Sequence, residues 1–123
     1  MYEKESDSDF QVVREAHGGD GAIRIHGFFQ ETLRLPVRVA VWELDPGASE
    51  GRHAHGDERP LEEMYYFLEG EGVMWMGEDE VAVSAGEAVL APAGVDHGLR
   101  NTGDRTMRLV IVWGTPSDQE DNE

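Results

Sequence analysis

Between Ala22 and Gly114 the chain is a succession of short apolar runs: AIRIHGFF, PVRVAVWEL, EMYYFLEG, VMWMG, DEVAVSAG, EAVLAP, HGLRNTG and TMRLVIVWG. Each is rich in β-branched or aromatic residues and is bounded by Gly, Pro, Asn or Asp, which marks strands rather than helices. No segment of ten or more residues carries an apolar period of 3.6, so no helix is predicted. Many short strands at close spacing predict an all-β barrel or sandwich. Successive side chains of a strand point to opposite faces. In EMYYFLEG that period sets Glu63, Tyr65 and Phe67 on one face, predicted inward, and Met64, Tyr66 and Leu68 on the other.

Turn residues refine the layout. Gly70 and Gly72 flank Glu71 and predict a tight hairpin, and Gly77 sits in the next turn. The break Pro92-Ala93-Gly94 places His97 at the start of a new strand. At 123 residues the chain is long enough for one domain with a single core. Its expected parts are a polar, loosely held arm over residues 1–20, a barrel over 21–115 and an acidic, disordered tail over 116–123.

Composition removes several function classes. With no cysteine there is no disulfide scaffold, thiolate metal site, iron–sulfur cluster or cysteine nucleophile. The net charge of −16 repels nucleic acid and anionic membranes, so neither is an expected partner. The opening MYEKESDSDF lacks the basic-then-apolar pattern of a signal peptide, and no apolar run is long enough to span a bilayer. The expected location is the cytoplasm. Nine arginines stand against the single Lys4. A dense carboxylate surface poor in lysine fits a cytoplasm rich in salt, and we expect a halophilic source.

The candidate chemistry lies in histidines and carboxylates. His53 and His55 are one residue apart, and on a strand they share a face. Glu63 follows on the next apolar run and His97 comes far downstream. Three imidazoles and a carboxylate form a mixed N/O donor set suited to a divalent transition metal. His17, in the Gly-rich arm, and His26, on the first strand of the barrel, are expected to be ordinary polar residues.

The spacing is specific. Gly47, five residues, His53-Ala54-His55, then Glu63, six residues and Gly70 make one block; Gly86, five residues, Pro92, Gly94, His97 and Asn101 make a second. These blocks resemble the two signature motifs of the cupin superfamily, over about Val37 to Trp113. One departure stands out: seven residues separate His55 from Glu63, where the family has three or four. Glu58 and Glu62 are also near, and the six-residue step to Gly70 selects Glu63.

The resemblance implies a small single-domain cupin, a jelly-roll β-barrel of six or eight strands. It further implies one divalent metal ion (Mn, Fe, Ni, Zn or Co) held by His53, His55, Glu63 and His97, with two open positions. Activity under this reading is a metal-dependent isomerase or lyase reaction on a small oxygenated metabolite, a sugar derivative or a hydroxy or keto acid. The alternatives are an Fe(II) dioxygenase and a non-enzymatic ligand-binding or storage protein. Tyr65, inward beside Glu63, is the candidate for hydrogen bonding or proton transfer to a bound ligand. Trp42 is a candidate cavity wall or a packed core residue, and Arg59, in the long connection, is expected to balance Asp57 and Glu58 at the surface, the alternative being contact with a carboxylate or phosphate on a ligand.

Apolar residues on both faces of the strands at 63–68 and 73–76 predict a covered outer sheet and, with the resemblance, a homodimer. The charge pattern yields a test. At ~1 M salt the Debye length falls to about 3 Å and self-repulsion is screened. The melting temperature is expected to rise from low to molar salt, and equal stability at both ends would remove the halophile reading.

Overall fold

The computed structural model describes residues 1–54 and 60–117. Ten strands run in chain order: β1 (Gln11–Arg14), β2 (Ala22–Gly27), β3 (Arg38–Leu44), β4 (Ser49–His53), β5 (Glu62–Glu69), β6 (Glu71–Met76), β7 (Asp79–Ser84), β8 (Ala88–Ala91), β9 (His97–Asn101) and β10 (Met107–Gly114). One sheet has the order β1-β2-β3-β10-β5-β8 and the other β4-β9-β6-β7. All pairings are antiparallel. The only helical element among the described residues is one 3-10 turn, Ala16–Gly18. Among the described residues no helix is long and apolar enough to cross a membrane.

The two inner faces supply the core. In β5 the alternation holds: Tyr65 and Phe67 are fully buried, Glu63 nearly so, and Met64 and Tyr66 face outward. Ile111 and Leu109 of β10 lie across from Tyr65 and Phe67, and both are buried. Met74 of β6 and Leu99 of β9 close the core from the second sheet. Burying a Leu, Ile or Phe side chain contributes roughly 1.5–3 kcal/mol. This layer therefore supplies the stability that lets polar groups sit at one end of the same interior.

The structure departs from the expected layout in two places. Residues 11–14 do not hang loose: β1 pairs along its length with β2, and the 3-10 turn after it packs on β4. The stretch around Gly70 is not a hairpin, because β5 and β6 belong to different sheets. Gly70, at φ 89°, turns the chain from one sheet into the other. Gly77 is the hairpin turn, between the paired strands β6 and β7. Most of the proposed acidic tail (118–123) and most of the long connection (55–59) lie outside the described residues.

The outer face of β5 carries Met64 and Tyr66, each 39% exposed, with Leu90 of β8 paired beside Met64 at 55%. On β6 the outward Trp75 is covered differently, by the Arg52 guanidinium 5.4 Å above its ring. A chain that pairs through the β5–β8 face sediments as a dimer at micromolar concentration and high salt, and Leu90→Glu is expected to shift it to monomer. A wild-type monomer under those conditions would remove the homodimer expectation.

Candidate metal centre

Three strands converge on the site. β4 ends at His53, β5 brings Glu63 as its first inward residue, and β9 opens with His97. His97 starts its strand because the Pro92–Gly94 turn ends β8, with Gly94 at φ 85°. In the sheet His53 lies directly opposite His97. Their rings are 4.3 Å apart between centroids and tilted by 54°. His97 Nε2 stands 2.7 Å from Glu63 Oε1.

Each imidazole is oriented from behind. His53 Nδ1 is 3.1 Å from the carbonyl of Gly51, and His97 Nδ1 is 2.9 Å from the carbonyl of Val95. A carbonyl accepts only from an N–H, so Nδ1 carries a proton on each ring and Nε2 is turned to the interior; on His97 a second proton lies between Nε2 and Glu63 Oε1, where a metal ion would take its place. This is the arrangement that holds metal-ligating histidines in one tautomer. The ligand atoms of His53, Glu63 and His97 all lie within 4.8 Å of one another. The residues therefore fit a divalent cation, two imidazole nitrogens and a carboxylate around one point. Of the four expected ligands, the structure brings these three together, and His55 lies outside the described residues. Glu62, on the opposite face of β5, points away from the interior.

A second carboxylate enters that sequence reading missed. Glu50 is 2% exposed and sits with Oε2 3.5 Å from His53 Nε2. Its Oε1 accepts a hydrogen bond from the Tyr65 hydroxyl at 3.3 Å. Glu50 and His53 are three apart, which on a regular strand means opposite faces. The register between β4 and β9 shifts between these two residues, and the bulge brings both inward. The signal was Gly51 within the strand, since an isolated glycine there marks a bulge.

His17 was expected to be an ordinary polar residue, and the structure places it at the site. Its ring stacks on His53 with centroids 3.7 Å apart and planes 9° from parallel, and its Nε2 lies 3.7 Å from Glu50 Oε2. His26 does stay outside, with Nδ1 and Nε2 against the Asp9 carbonyl and the Glu5 carboxylate. Trp42 meets the Tyr65 ring edge-on at 6.4 Å and packs against the core. Arg59 lies outside the described residues.

Burial and mutual repulsion set the electrostatics. Burial, reinforced by the nearby Glu63 carboxylate, pushes Glu50 up to about 8, so it holds a proton at neutral pH. Burial lowers His53 to about 4 and keeps it neutral, as a metal ligand requires. For His97 burial acts downward too, but hydrogen bonds to Glu63 and Val95 outweigh it and the net shift is upward. Burial, then the Glu50 carboxylate, drives Tyr65 well above its ordinary value, so the phenol stays protonated.

Comparison with known proteins agrees with this architecture. The "Oxalate-binding protein" of Thermotoga maritima is 30% identical over 114 residues, covering 91% of this chain and 92% of that protein. A crystal structure described as a predicted oxalate decarboxylase from Thermotoga maritima superposes with a TM-score of 0.83 at 27% identity, covering 94% of this chain and all of that one. A Cupin 2 conserved barrel domain protein from Salinispora arenicola shares the fold, with a TM-score of 0.71 at 18% identity, covering 93% of this chain and 87% of the other. The family model for the cupin domain matches residues 40–113, more than half of the sequence, and this chain belongs to the cupin family.

Proposed function

We propose that this cupin holds one divalent transition-metal ion on His53, His55, Glu63 and His97 and binds a small carboxylic acid of the oxalate class beside it. The observation that carries the reading is the convergence of two tautomer-fixed imidazoles on a buried carboxylate. The ligand class is supported by the oxalate-binding relative, which aligns over nearly its whole length. Charge agrees with it: a chain at −16 needs a local cation before a small dianion can bind inside. The ion would supply Lewis acidity and adjacent open positions for chelating oxygens.

The chain's own residues favour chemistry over storage. A site built only to bind needs no acid or base beyond its ligands. Here Glu50 holds a proton next to the metal-facing nitrogen of His53, and Tyr65 donates to its other oxygen. Glu50 thus supplies a buried titratable group at Oε2, able to give or take a proton, and Tyr65 fixes its orientation. The second reading, a binding or storage protein, differs only in whether that proton is used.

Protein purified without chelator is expected to contain about one transition-metal ion per chain by elemental analysis. Calorimetry should show oxalate binding to the loaded protein and not to the chelator-stripped one. Glu63→Gln and His97→Ala are expected to weaken metal binding by more than the ~10–100-fold that loss of an outer hydrogen-bond partner costs. Oxalate binding by stripped protein, or absence of metal, would overturn the reading. Formate or carbon dioxide released from oxalate would establish catalysis, binding without product would establish the second reading, and iron with oxygen uptake would move the assignment to a dioxygenase.

Glu50 gives a further outcome in the stripped protein. Its value is raised from the ordinary carboxylate range, so its contribution to stability is present below about pH 4.3 and is lost as pH rises towards 8. Glu50→Gln removes that loss. The variant should match wild type near pH 4 and melt several degrees higher by pH 8, as thermal melts across that range would show. Parallel curves for the two proteins would contradict the buried, protonated assignment.

A further inference from the structure

We propose that His17, delivered by the N-terminal turn, is a ligand-contacting residue of the metal site, donating a hydrogen bond to the outer oxygen of the carboxylate bound there. This rests on the reading of the site as a metal-dependent carboxylate receptor. His17 lies on the turn between β1 and β2, outside the residues that match the family model.

The turn is built to hold it there. The His17 carbonyl approaches β4 so closely that a Cβ on Gly51 would stand 2.1 Å from it. A Cβ on Gly19 would likewise come within 2.2 Å of the Ser49 carbonyl oxygen. Only glycine on both sides permits that approach. Polar contacts fix it further: Asp20 N donates to Ser49 Oγ at 2.8 Å, Ser49 N donates to the Asp20 carbonyl at 2.9 Å, and Arg100 bridges Asp20 to the carbonyl of Gly47. His17 itself adopts φ 50°, a left-handed conformation that costs a non-glycine residue free energy. A turn serving only to end a strand would place a glycine or asparagine there.

Geometry separates this role from metal ligation. His17, Glu50 and His53 form a second cluster with ligand atoms within 4.8 Å. Yet an imidazole ligates in its own ring plane, and the planes of His17 and His53 are stacked 9° from parallel. An ion in the plane of one ring lies well out of the plane of the other. His53 and His97, tilted by 54°, have planes that meet. An ion held by His53, Glu63 and His97 would therefore not take His17 as a further ligand, and His17 would face a molecule bound beside it. Its side chain is 48% exposed, so it stands at the rim, while Glu50 beside it is at 3%. An imidazole carries at least one N–H whether neutral or charged.

The test uses Mn(II) and oxalate as probes, with calorimetry on wild type, His17→Ala and His17→Phe. Phenylalanine keeps a ring to stack on His53 but has no N–H. Both variants are expected to melt within a few degrees of wild type and to bind Mn(II) within about twofold. Both should bind oxalate about tenfold more weakly, the factor that ~1.4 kcal/mol represents. Wild-type oxalate affinity in His17→Phe would show that stacking alone matters and would overturn the proposal. An equal loss of Mn(II) affinity would make His17 a metal ligand and also overturn it. If Mn-loaded wild type binds no oxalate, the carboxylate reading falls and this proposal with it, whereas oxalate binding with unchanged variants removes only the role of His17.

Discussion

Two carboxylates and two imidazoles enclosed in one small barrel are the constraint on which the rest of this structure depends. An isolated buried charge costs so much free energy that it must be paired, neutralised or bound to a cation. All three solutions operate within a few ångströms here. Glu63 pairs with His97, Glu50 is neutralised by a proton, and His53 stays uncharged. A divalent ion on His53, Glu63 and His97 would compensate Glu63 directly and weaken the repulsion that adds to burial in raising Glu50. Under the proposed reading, metal binding and the stability of the polar end of the barrel would therefore be coupled. The apolar layer around Tyr65, Phe67 and Ile111 is what makes such a cluster tolerable in a domain of this size.

How far this was legible from sequence differs from residue to residue. The strand at 62–69 could be read because its alternation is unbroken, and with it came the inward direction of Glu63, Tyr65 and Phe67. His97 could be placed because proline and glycine end the preceding strand. Glu50 could not, since a period of two puts it on the face opposite His53, and only the bulge at Gly51 reverses that. A bulge is a property of two paired strands, and the sequence of one strand carries at most a hint of it. His17 was hidden for another reason: its place depends on a left-handed turn and on clearance between two glycines far apart in the chain. The assumed hairpin at Gly70 failed similarly, because a glycine turn between two strands does not say whether they share a sheet.

The arginines show how a chain at −16 manages its surface. Arg24 bridges Glu43 and Asp45, and Arg108 bridges Glu43 and Asp7, so carboxylates at and beside β3 are tied to the strands on either side of it through shared cations. Exposed pairs of this kind contribute little singly, but a planar guanidinium can serve two acids at once. That suits a composition with nine arginines and one lysine. Arg100 applies the same device to Asp20 and so anchors the turn that carries His17. Surface electrostatics and the geometry of the site thus meet in one side chain.

The same charge bears on how a ligand is selected. The long-range field of this protein repels anions, and salt screens that field over about a Debye length. Under the proposed reading, the balance inside the barrel would be reversed only over the short range of a bound cation and a few N–H donors. An anion therefore gains nothing from approaching the surface and gains only where it reaches the ion. That favours small, chelating acids over extended ones, because a longer acid leaves its remaining charge in the repulsive field. In the proposed receptor, Glu50 at the inner edge and His17 at the rim would then be the two groups that distinguish one short acid from another. Neither is among the four residues that the family motifs assign to the metal. Under the proposed reading, specificity would thus rest on residues brought in by a bulge and by an N-terminal turn, on a metal frame that the family motifs imply.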